Sequence, residues 1–182
     1  GISIGFQAGN SGQGTNAIAI GVLAGSTQGT GSIAIGYQAG INTDASGNSI
    51  AIGVNAGNSG QFLNAVAIGS SAGQTNQGTA AIAIGSQAGR TNQQSGAIAI
   101  GDQAGSSAQG QSAIAIGQNA ARSNQQSAAV AIGLAAGQFT QGTNAIAIGV
   151  SAGSSNQRTG CIAIGYQAGL LGFDPSGNSI AI

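Results

Sequence analysis

The sequence predicts an all-β parallel solenoid, a β-roll of about eleven 16-residue coils with two short strands per coil, and three observations predict it. A five-residue string, small-Ile-Ala-Ile-Gly with minor variation, recurs along the whole chain. Its closing glycines are Gly5, Gly21, Gly36, Gly53, Gly69, Gly85, Gly101, Gly117, Gly133, Gly149 and Gly165, with steps of 16, 15 and 17 and then seven of 16. An Ala stands three residues past every one of them, and in most coils a Gln stands eight past, so the entire coil is repeated and not the string alone. Residues 1–182 therefore read as one continuous solenoid with no internal domain boundary, expected to be a segment of a longer protein.

The string is a strand. In Ala97-Ile98-Ala99-Ile100 the alternation has period two, which puts the two Ile on one face and the two small residues on the other. A helix would need apolar spacings of three and four over ten or more residues, and the recurring Gly interrupts any such run. Large aliphatic residues are expected inside, so Ile98, Ile100, Ile114, Ile116, Val130 and Ile132 are assigned to the core. The opposite face, carrying Ala97, Ala99, Ala113, Ala115, Ala129 and Ala131 with Cys161 in the same column, is then an outward stripe for lateral self-association. Three chains packed along it would bring their Cys161 side chains together. On this assignment Ile100→Asp is severe and Ser106→Asp, in a variable corner, is mild.

The corners follow from Gly. The closing Gly is expected where φ is positive or where a neighbour comes too close for a side chain, and the Ala three residues later as a small inward residue of the second wall. Asn or Gly before the string, as at Asn16, Gly31, Asn144 and Gly160, predicts a second left-handed corner. The Gln column, including Gln61, Gln77, Gln93 and Gln109, predicts a side-chain amide ladder along the axis. One coil buries too little to fold alone, so stability must come from stacking on neighbours.

Composition limits the chemistry. There are 35 Gly, 41% hydrophobic and 3% charged residues, a net charge of zero, and no His. Zero net charge gives no electrostatic footprint for nucleic acid, and no stretch is long and apolar enough for a membrane helix. A single Cys supports neither an intrachain disulfide nor a cysteine metal cluster. Catalysis lacks conventional acids and bases apart from Asp44, Asp102 and Asp174, which are far apart in the repeat, so no enzyme activity, cofactor or metal is expected. Two loops, Asp44-Ala45-Ser46-Gly47-Asn48 and Asp174-Pro175-Ser176-Gly177-Asn178, carry one carboxylate each, too few for a calcium cage; an Asx-type turn absorbing the inserted residues fits better. Arg90 and Arg122 share a column two coils apart and read as solvated charges. Thr is scattered over several columns, which argues against an ordered hydroxyl array for ice.

The strings Ser32-Ile33-Ala34-Ile35-Gly36, Ser49-Ile50-Ala51-Ile52-Gly53 and Ala97-Ile98-Ala99-Ile100-Gly101 resemble the head repeats of YadA-like trimeric autotransporter adhesins, and similar strings occur in viral fibre-like proteins. The resemblance covers the whole chain, although the period and the Ala-Gly after the corner differ. It implies a left-handed roll, a homotrimer or bundle, display on a cell or virion surface, and binding to host matrix. The function expected is a structural fibre or adhesin segment outside the cell; the alternative is a solenoid that recognises a glycan or ice through an exposed face.

Overall fold

The computed structural model describes residues 1–43, 47–170 and 178–182. Among them the only regular structure is β-strand, in two parallel sheets that form the two walls of a stacked coil. The first wall has twelve strands, from Ile2–Ile4 through Ile98–Ile100 and Ile162–Ile164 to Ile180–Ala181. The second has eight, from Asn42–Thr43 through Ser59–Gln61 and Ser107–Gln109 to Ser155–Gln157. Each strand pairs with its counterpart one coil later, as Ile98 with Ile114 and Gln93 with Gln109. The 15- and 17-residue coils keep this register, with Ile18 opposite Ile33 and Ile33 opposite Ile50, so the length changes are absorbed outside the strands.

The corners are as the sequence predicts. Gly101 has φ 125°, and a Cβ built on it would stand 2.8 Å from the carbonyl carbon of Gly117 in the next coil, so both dihedral and space require Gly. The corner before the string is left-handed in every described coil, whether held by Asn144 (φ 57°), Gly160 (φ 70°) or Ala128 (φ 55°). Asp44 and Asp174, with the calcium and Asx-turn readings of their loops, lie outside the described residues; Asn48 and Asn178, which follow them, occupy the left-handed corner.

The faces of the first wall are the reverse of the sequence assignment. Every mid-string Ala from Ala19 to Ala163 is fully buried, and so are Ala97, Ala113, Ala129 and Cys161 in the preceding column. Ile98, Ile100, Ile114 and Val130 are only half-buried, and Ile116 and Ile132 are exposed. The cause is width. Gln109, on the second wall, reaches across the interior and donates from Nε2 to the carbonyls of Ile98 (2.7 Å) and Ala113 (3.2 Å) on the first. The walls are thus one Gln side chain apart, and the interior is filled by methyl groups such as Ala99 and Ala104 with Gln between them. An inward Ile would overfill that gap, so close packing wins over the usual preference for buried Ile. Ala97, Ala99, Ala113, Ala115, Ala129 and Ala131 therefore form no association surface, and Cys161 cannot meet a second chain. Ser106 is also buried rather than in a tolerant corner, at 7% exposure.

Candidate interaction faces

Because the interior takes the small residues, the alternation turns Ile outward, and parallel register stacks it. Two adjacent columns run along the first wall, one through Ile98, Ile114 and Val130 and one through Ile100, Ile116 and Ile132. Each Ile lies between its counterparts in neighbouring coils, which is why the column is half-covered; what remains open is the outer edge, 36–41% for Ile84, Ile116, Ile132, Ile148 and Ile164. Ten coil steps of about 4.8 Å and a width near 10 Å give roughly 500 Å², at the upper end of what soluble monomers expose. Exposed Val22, Tyr37 and Val54 widen the apolar strip towards the first coils, and Leu134, Val150 and Tyr166 towards the last.

The second wall is different in kind. Its strands read Thr75-Asn76-Gln77 and Ser123-Asn124-Gln125, and the middle residue is left-handed, at φ 54° in Asn76 and 55° in Asn124. That backbone lets the Gln point inward while the Asn stays exposed. The Gln ladder expected from the sequence is interior and runs in two pieces: Gln61 donates to Gln77 at 3.2 Å, and Gln93 donates to Gln109, Gln109 to Gln125, Gln125 to Gln141 and Gln141 to Gln157 at 3.0–3.1 Å. Between the pieces, Gln77 donates only to backbone carbonyls and leaves Gln93 Oε1 without a partner. Outside, Asn76 Nδ2 donates to Asn92 Oδ1 at 3.2 Å.

One feature of this wall escaped the sequence reading, although the letters carry it. From Gln61 onward, the residue directly after the Gln alternates between large and absent side chains, as Phe62, Gly78, Gln94, Gly110, Gln126, Gly142 and Arg158, whereas the first two coils carry Gly14 and Gly29 in succession. The period is two coils. A Cβ on Gly78 would stand 2.5 Å from the amide nitrogen of Ser95, and one on Gly110 2.5 Å from that of Ser127, while neither Gly is left-handed. Space alone requires these glycines: alternate corners tuck beneath the next coil. Over each tucked corner lies a recess, with Gly78 between Phe62 and Gln94, Gly110 between Gln94 and Gln126, and Gly142 beside Arg158. Their volumes are about 260, 180 and 420 Å³.

Arg90 and Arg122 are exposed in their shared column, and Asp102 lies just past a Gly corner, on the flank of the Ile strip. Among the described residues no group of three or more His, Cys, Asp or Glu is placed to hold a metal ion. Comparison with known protein families, with curated proteins and with solved structures finds no match to this chain.

Proposed function

We propose that this chain is a structural rod, a segment of an extracellular or surface-displayed fibre, and that it associates laterally with further copies of itself through the Ile columns of the first wall. The single observation that carries this reading is the long, uncharged, outward Ile strip on a molecule whose own interior is already filled. Such an area is costly to leave in water, at about 25 cal/mol per Å². A second copy has the same Ile spacing in the same straight columns, so its side chains interdigitate over the full length. Sheets packed face to face in this way lie about 10 Å apart. The resemblance of the Ile-Ala-Ile-Gly strings to adhesin and fibre repeats supports the same reading.

The test is sedimentation of the wild-type chain beside a variant with Ile84, Ile100, Ile116 and Ile132 all changed to Thr, which keeps β-branching. The wild type is expected to assemble, and the variant to stay monomeric with an unchanged β-sheet circular dichroism spectrum. A wild type that remains monomeric at high concentration contradicts the lateral pairing.

A further inference from the structure

The recesses on the second wall repeat with a longer period than the strands that build it. A solenoid closes its coils with a period of one, as its Gly corners, Ala columns and Gln ladder all do, yet the recesses repeat every 32 residues. Two coils advance about 10 Å along the axis. The recesses at Gly78, Gly110 and Gly142 therefore form a row at that spacing, different in volume and in the side chains that project beside them from the intervening coils. Each recess is bordered by one exposed, left-handed Asn: Asn76 from the coil of its own tucked Gly, Asn92 from the coil before Gly110, and Asn156 from the coil after Gly142.

The lining chemistry is narrow. Asn and Gln amides each offer donors and an acceptor, and Thr79 and Thr159 add hydroxyls, a set that complements a ligand made of hydroxyl groups. No carboxylate lines any of the three recesses, and of their projecting residues only Arg158 is charged; Gln94 and Gln126 hold the equivalent places. An anionic polymer would be met by a cation at each period, and here it is not. The ligand must also be linear, with a repeat that matches two coils. Two consecutive sugar rings in an extended β-linked chain have that length.

We infer that the second wall binds a linear, neutral polysaccharide, one disaccharide unit per recess, laid parallel to the solenoid axis. Each recess alone is shallow and open, and affinity comes from engaging several at once at fixed spacing. This site is separate from the Ile columns, so it does not rest on the lateral pairing proposed above.

The test is calorimetric titration of the chain with β-1,4-linked glucose, mannose and N-acetylglucosamine oligosaccharides of two, four and six units. At least one series is expected to bind, with affinity rising on the order of 10-fold or more from the shortest to the longest member. Changing Asn76, Asn92 and Asn156 together to Ala is expected to remove that gain. The backbone accepts Ala there, since Ala108 holds the same column at φ 54°. Should the triple variant lose its fold, side-chain amide shifts of the three Asn in the wild type, followed by NMR during titration, decide the matter. No binding at millimolar concentration, affinity independent of length, unchanged binding by the folded variant, or shifts confined to residues elsewhere would each overturn the inference.

Discussion

At the scale of single residues, the molecule turns on which member of an alternating pair faces in. Ala99 has no exposed surface and packs among methyl groups, so Ala99→Asp would enclose a carboxylate with no cation beside it and with the donors of Gln109 already engaged. The expected cost is at least about 4 kcal/mol, enough to disrupt neighbouring coils. Ile100→Asp places the same charge on the outer face, where water reaches it, and is expected to cost only about 1–2 kcal/mol through lost contact with Ile84 and Ile116. Thermal unfolding of the two variants checks the assignment: equal losses, or a larger loss for Ile100→Asp, would restore Ile to the interior. The alternation itself was legible in the sequence, and so were the left-handed corners at Asn16, Gly31 and Asn144. The direction was not, because the rule that Ile is buried says nothing about the width of a coil. The clue lay on the other wall, where Ala and Gln, and no aliphatic residue of comparable size, were available to face an inward Ile.

At the scale of the strand and its column, the Gln residues are what hold the walls at their separation. Gln109 bonds Ile98 O and Ala113 O across the interior, accepts from Gln93 and donates to Gln125. It ties together strands of successive coils, so it acts both across the coil and along the axis. Gln109→Ala would remove all four bonds and leave a void, with an expected loss of about 3 kcal/mol. Hydrogen exchange should show faster exchange in the strands Ile98–Ile100 and Ile114–Ile116 than in distant coils; a uniform response along the rod would deny the column this local role. The ladder was readable from spacing alone, because parallel in-register coils place any repeated Gln one step above the next. That it would be fully enclosed was not readable, since it depends on the left-handed Asn or equivalent before it, which turns the Gln inward.

At the scale of the whole molecule, two periods are superimposed, and they make different demands on length. The strands, the Gly corners and the Gln ladder repeat with each coil, so any whole number of coils keeps them in register, and stability should add between nearest neighbours. From Phe62 to Arg158 the corner after the Gln repeats every second coil, with a tucked Gly corner beneath a corner that carries a side chain. Deleting residues 101–132 removes two coils and brings Gln94 next to Gly142, preserving the alternation. Deleting residues 101–116 removes one coil and sets Gln94 directly against Gln126, two projecting corners in succession where the stack has a tucked one between them. The shorter deletion is therefore expected to lower the melting temperature by as much as the longer one or more, although it removes half as many neighbour contacts. Thermal melts of the two deletion variants measure this directly. A loss simply proportional to the number of coils removed would mean that the corners adapt freely, and that the two-coil period carries no structural weight of its own.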